Sequence, residues 1–145
     1  MNTRDNTILL TGGSSGIGLA LARSFCANRN TVIAVARDAD RLAAACKECP
    51  ELHTVQADIS DEQDREYLVA RVLDEFPGLN MLVNNAAAGY FVDLRADANS
   101  SIWARQEIET NYLAPMRLVE LLLRQLAGRP AAAIVNISTV GVFLP

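Results

Sequence analysis

The residues best suited to chemistry fall in short stretches, each just after an apolar run. The first is Thr11-Gly12-Gly13-Ser14-Ser15-Gly16-Ile17-Gly18, between Thr7-Ile8-Leu9-Leu10 and a helical pattern beginning Leu19-Ala20-Leu21-Ala22. Strand, glycine turn and helix in that order are the context of a phosphate-binding loop. Gly12 permits the tight turn, Gly16 lets the backbone approach a pyrophosphate, and Gly18 lets the helix pack closely on the strand. The helix N-terminus adds unpaired N–H groups and a partial positive charge. Arg37 follows Thr31-Val32-Ile33-Ala34-Val35-Ala36 at a position where an acid would bind the ribose hydroxyls of NAD. A guanidinium there suits a 2′-phosphate, so NADP is expected over NAD. Asp58 is an acceptor suited to an adenine amino group, and Ile59 is suited to packing on the ring. Asn84-Asn85-Ala86-Ala87 is small enough to let a cofactor approach the backbone. The same residues also fit plain structural jobs: Arg37 a solvated loop charge, Asp58 a loop acid before a capped helix, Asn84-Asn85 a turn.

Positioning these stretches requires regular alternation of strands and helices. Strands are expected near 7–11, 31–36, 52–57, 81–83 and 133–137, and helices near 16–28, from Asp38 to about Cys46, and from a Ser60/Gln63 capping box to Pro77-Gly78. The third helix presents Leu68, Val69, Val72, Leu73 and Phe76 on one face. A loop from Ala86 to about Ala98 leads to a long helix from Ser100 or Ser101 to Ala127. Short loops joining five strands and four helices imply right-handed crossovers and a parallel, doubly wound α/β sheet, with expected order 3-2-1-4-5 and a crevice beyond strands 1 and 4. Pro115 lies four residues after Asn111 inside the long helix, so the Asn111 carbonyl lacks its usual helical donor and is available to water or another polar group.

These motifs, with Asn136-Ile137-Ser138-Thr139 at the end of the fifth strand, occur in the order and spacing of the short-chain dehydrogenase/reductase family, which the chain resembles over essentially its whole length. The resemblance implies one NAD(P)-binding Rossmann domain over residues 1–145 and hydride transfer between NADP(H) and a carbonyl or alcohol. By position it gives cofactor-contact roles to Gly12, Ser14, Ile17, Arg37, Asp58 and Asn85, with Ser15 in the same turn. Ala87 stands where the family's strand-4 motif ends in glycine. The resemblance places Asn111 in a proton relay through a bound water, and a substrate-binding hydroxyl at Ser138 or Thr139. The family's acid/base is a Tyr followed four residues later by Lys. Here the tyrosines are Tyr67, Tyr90 and Tyr112 and the only lysine is Lys47, so no such pair occurs within the 145 residues. Tyr67 precedes Arg71 at that spacing, but an arginine does not lose its proton and cannot relay one. The chain as given is therefore expected to resemble the N-terminal part of such an enzyme and to be catalytically incomplete. The alternatives are a truncated, non-catalytic NADP(H)-binding or interaction module and a non-functional gene fragment.

Composition narrows the partners. The formal charge of −4 argues against nucleic acid, and no apolar run approaches membrane-spanning length. The polar start Met1-Asn2-Thr3-Arg4-Asp5, followed at once by a strand, leaves no room for a signal peptide, so a cytoplasmic location is expected. Cys46-Lys47-Glu48-Cys49 has no second pair and falls at a helix C-terminus, the wrong end to activate a thiolate, so no metal is expected. His53 reads as an edge-strand residue. Tyr90-Phe91 reads first as loop packing and second as the border of a pocket. The fifth strand is apolar on both faces with no following helix, so a homo-oligomer or a partner is expected to cover its edge.

Overall fold

The computed structural model describes residues 2–93, 95–96 and 100–139. Within them the chain runs β1 (Thr7–Thr11), α1 (Gly16–Ala27), β2 (Thr31–Ala36), α2 (Ala39–Glu48), β3 (His53–Gln56), α3 (Glu62–Glu75), β4 (Met81–Asn84), α4 (Ser100–Ile108), a π-helical segment (Glu109–Leu113), α5 (Ala114–Ala127) and β5 (Ala133–Asn136). Part of the expected loop before α4, including Asp97 and Ala98, lies outside the described residues. The strands form one sheet in the order β3-β2-β1-β4-β5, and every pairing is parallel.

The apolar runs build this sheet because a strand buried on both faces has no reason to alternate with polar residues. Alternate side chains still go to opposite faces. Leu9, Ile33, Val35 and Leu82 face α3 and α5, where they meet Leu68, Val72, Leu118 and Leu122. Ile8, Leu10, Val32, Ala34 and Val83 face α1 and α2, where they meet Ala22 and Ala45. On α5 the buried positions Ala114, Leu118, Leu122 and Leu126 recur every four residues, the stripe of a helix lying on a sheet. At the sheet end away from the glycine loop, asparagines join the strands: Asn6 N–H donates to Asn30 Oδ1 at 2.9 Å and Asn80 Nδ2 to Asn6 Oδ1 at 3.0 Å.

Two details differ from the sequence reading. The N-cap of α3 is Asp61, whose carboxylate accepts from Asp64 N–H at 2.9 Å, rather than Ser60. Ser60 is engaged elsewhere, donating its hydroxyl to Asp58 Oδ1 at 2.7 Å. A carboxylate one residue later takes the cap while the serine fixes the preceding turn. The long helix is also not uniform. It widens into a π turn at Glu109–Leu113, ahead of Pro115, where the missing N–H interrupts the regular ladder.

Among the described residues β5 pairs with β4 alone, and Ile134, Val135 and Ile137 are exposed. The second edge is β3, where His53 packs edge-on against Phe76 at 4.9 Å. Among the described residues, no helix is long and apolar enough to cross a membrane.

Candidate cofactor site

The strand order reverses between β1 and β4, and the loops leaving their C-terminal ends part to form a crevice. A cavity of about 470 Å³ lies there. Its floor is the glycine turn, with Gly12, Ser14, Ser15, Ile17 and Gly18. Arg37, Asp58 and Ile59 form one end, and Asn85, Ala86 and Ala87 the other wall. Residues singled out in four separate stretches of sequence thus come together. Gly16 keeps its place in the turn at φ +53, but neither it nor Asn111, Ser138 or Thr139 lines this cavity.

The glycine turn is held by close contacts only glycine permits. A Cβ on Gly18 would lie 2.0 Å from the Gly12 carbonyl oxygen and 2.6 Å from Asn85 Nδ2. Gly12 has φ +69 and faces the Ala86 backbone, which a Cβ would meet at 2.9 Å. Thr11 fastens the neighbouring loop: its hydroxyl accepts from Asn85 N–H and from Ala86 N–H, both at 3.0 Å. Asn85 completes the bond set by donating Nδ2 to the Thr11 carbonyl at 3.0 Å and the Gly12 carbonyl at 3.3 Å. The Asn85 side chain therefore binds the two loops to each other as well as lining the cavity. Thr11 opens the glycine-rich stretch, but its spacing assigns the hydroxyl no role of its own; a hydroxyl at the end of a buried strand is the signal for it.

At the Arg37 end of the cavity, Asp58 Oδ1 accepts from the Ser60 N–H at 2.9 Å and from its hydroxyl. Asp58 Oδ2 lies 3.9 Å from Arg37 Nη1. That pair is exposed and worth little by itself. Asp38, the acid next to Arg37, is committed to α2. It caps the helix through Arg41 N–H at 3.0 Å and pairs with the Arg41 guanidinium at 3.3 Å. Arg41, one turn into α2, lines the same cavity, so the rim carries two guanidiniums. Sequence reading missed it because a charge on a helix surface has no distinguishing pattern.

Asn111 sits in the π segment and reaches across to the loop after β4. Ala88 N–H donates to Asn111 Oδ1 and Asn111 Nδ2 donates to the Ala88 carbonyl, both at 2.8 Å. Ala88 and Thr110 both line the cavity, so the π turn is fixed against its wall. Asn111→Ala is expected to cost about 1–2 kcal/mol, from two lost amide bonds. It is also expected to accelerate hydrogen exchange at the Ala88 amide, and unchanged protection there would contradict this tie. Across the same end of the sheet, Asn84 Nδ2 donates to Asn136 Oδ1 at 2.9 Å, joining β4 to the strand that leads into Ser138 and Thr139. Tyr90 stacks on Trp103 at 4.8 Å and donates its N–H to Glu107 at 2.6 Å, so it is a packing residue, whereas Phe91 is fully exposed.

Cys49 is buried in the core shared with α1 and α2, and Cys26 packs against it. Cys46 Sγ is 3.7 Å from the Leu52 carbonyl oxygen, and burial, with the neighbouring Cys49 thiol, pushes the Cys26 thiol up to about 12. Among the described residues, no group of three or more His, Cys, Asp or Glu could hold a metal ion.

Comparison with known proteins gives this geometry its relatives. The chain is 40% identical over 145 residues to the uncharacterized oxidoreductase DltE of Bacillus subtilis, covering 100% of this chain and 58% of that protein. A short-chain dehydrogenase from Streptomyces avermitilis superposes with a TM-score of 0.87 at 29% identity, over 100% of this chain and 53% of that one. The L-sorbose reductase of Gluconobacter frateurii, solved with NADPH and L-sorbose, gives a TM-score of 0.83 at 28% identity, over 94% and 53%. The chain spans about half the length of the curated relatives it matches. The family model described as short chain dehydrogenase matches residues 6–145, nearly the whole chain, and the chain belongs to the short-chain dehydrogenase family.

Proposed function

We propose that the protein binds NADP(H) in the crevice between β1 and β4 and serves hydride transfer between that cofactor and a small carbonyl or alcohol substrate. The observation that carries the cofactor reading is the rim: Arg37 and Arg41 line the cavity, and the carboxylates that line it with them are engaged, Asp38 with Arg41 and Asp58 with Ser60. Two guanidiniums beside a ribose position favour a 2′-phosphate over bare hydroxyls. The residues present fit the group. The glycine turn leaves open space at Gly16, where an added Cβ would meet nothing within 4 Å. The α1 N-terminus offers its N–H groups to a pyrophosphate. NADPH solved in the L-sorbose reductase supports the same choice.

When bound, the nicotinamide ring supplies the hydride chemistry. This chain's residues would do the rest of the binding: the glycine turn would hold the pyrophosphate, and Ile59 and Asp58 would hold the adenine, one as an apolar contact and the other as an acceptor. Asn111 keeps the loop after β4 in register through Ala88. Ser138 and Thr139 continue from β5 at the substrate end, and either hydroxyl can donate to a substrate oxygen. A cytoplasmic setting belongs to this reading, in keeping with the free thiols of Cys26, Cys46 and Cys49.

The lack of a Tyr-x-x-x-Lys within the 145 residues favours a second reading for the chain taken alone, a cofactor-binding module without chemistry. Titration of the purified 145 residues with NADPH, followed by nicotinamide fluorescence, is expected to give saturable binding with no carbonyl-dependent NADPH oxidation. Absence of binding would overturn the cofactor reading. The coding sequence beyond codon 145 separates the two readings: an open frame with Tyr-x-x-x-Lys supports the oxidoreductase, and a stop codon supports the module.

A further inference from the structure

Arg65 is an unexpected residue in the core. It lies on the face of α3 that also buries Leu68, Val69 and Val72, with its side chain only 8% exposed. An apolar side chain there would continue the stripe, and a buried cation is costly unless it is paired. The pairing is specific and joins distant segments. Arg65 Nη1 donates to the Ile59 carbonyl at 2.6 Å and to Glu109 Oε1 at 3.2 Å. Its Nε is buried with no partner among the described residues, so the site is built for these two contacts rather than for full satisfaction of the guanidinium.

One contact ends on the cavity wall, since Ile59 lines it, and the other ends on Glu109, whose neighbour Thr110 also lines it. Glu109 opens the π segment, and two residues later Asn111 holds Ala88. Beside Arg65, Asp64 accepts the Asp58 N–H at 2.7 Å, so the first turn of α3 fixes the Asp58–Ile59 loop from two successive residues. We propose that Arg65 is a positioning residue that sets the Asp58–Ile59 wall against the π segment, so that adenine-end binding depends on a salt bridge that does not touch the cofactor. This rests on the NADP(H) reading above.

The test separates positioning from stability. Glu109→Leu leaves the buried Arg65 charge without its carboxylate and Arg65→Met leaves the half-buried Glu109 unpaired, whereas the double variant removes both charges and keeps the volume apolar. Melting temperature and the affinity for adenosine 2′,5′-bisphosphate and NADPH are measured for all three. Each single variant is expected to melt lower and to bind the bisphosphate about 5- to 20-fold more weakly, within the usual range for coupled sites. The double variant is expected to regain its melting temperature but not its affinity, because the Ile59 carbonyl has lost its donor. If affinity returns together with the melting temperature, or if a folded single variant binds like the unsubstituted protein, the proposal is overturned. Should the single variants fail to fold, the double variant decides alone. If the unsubstituted protein binds neither ligand, the NADP(H) reading itself fails, which is a distinct result.

Discussion

Arg37→Ala is expected to weaken NADPH binding about 10- to 100-fold while changing NADH binding by no more than about twofold, the loss of a charge-assisted contact worth roughly 1.5–3 kcal/mol. The asymmetry follows from the rim. Arg37 is exposed and its ion-pair partner Asp58 lies at 3.9 Å, a pair too loose and too wet to compete strongly with a dianionic phosphate. Removing the guanidinium therefore breaks no structural contact of consequence, and melting should not move by more than a degree or two. NADH has hydroxyls where NADPH carries the 2′-phosphate, so it forfeits little. Arg41→Ala should have the same sign and a smaller size, because Arg41 already shares its charge with Asp38 at 3.3 Å. Parallel titrations with the two nucleotides provide the measurement. Equal losses for both would remove the basis for choosing NADP.

What the sequence made legible is the part of the molecule governed by local pattern. The strand at 31–36 is a continuous β-branched and apolar run, and such a run has few alternatives to a buried parallel strand. The glycine turn announces itself because Gly12 and Gly18 sit where a Cβ would run into backbone. The unreadable part is where the partners are distant. Arg65 sits on the apolar face of α3, and nothing in the spacing says that its charge meets Glu109, 44 residues on. Asn85 and Asn111 carry family positions, yet their amide bonds to Thr11, Gly12 and Ala88 emerge only when β1, β4 and the π segment are side by side. The π turn had a sequence signal in Pro115, but a missing donor says that the helix is perturbed and not how. The cap of α3 shifted by one residue because Ser60 and Asp61 compete for the same role, and Asp58 settles it by taking the serine hydroxyl.

The glycine turn allows a sharper separation of fold from binding. Gly18→Ala would place a methyl 2.0 Å from the Gly12 carbonyl oxygen and 2.8 Å from the carbonyl carbon, so backbone must move to admit it. Overpacking of ordinary side chains costs about 1–3 kcal/mol, and a clash against backbone belongs at or above that limit. Out of a total stability of roughly 5–15 kcal/mol, that is a large share. Gly18→Ala is thus expected to lower the melting temperature markedly and to abolish NADPH binding with it. Gly16→Ala differs in kind. Its φ of +53 disfavours any side chain, by about 1–2 kcal/mol, but a Cβ there meets no protein atom within 4 Å. The fold should tolerate it. If the open space at Gly16 is where a pyrophosphate comes up to the backbone, Gly16→Ala should melt only a few degrees lower yet bind NADPH at least about tenfold more weakly, as expected for a lost phosphate contact. A Gly16→Ala protein with undiminished affinity would move the phosphate away from this turn, whereas a Gly18→Ala protein that melts normally would show the loop yielding where its contacts are tightest. Only the first result bears on the ligand; the second bears on the fold, and the two substitutions lie two residues apart.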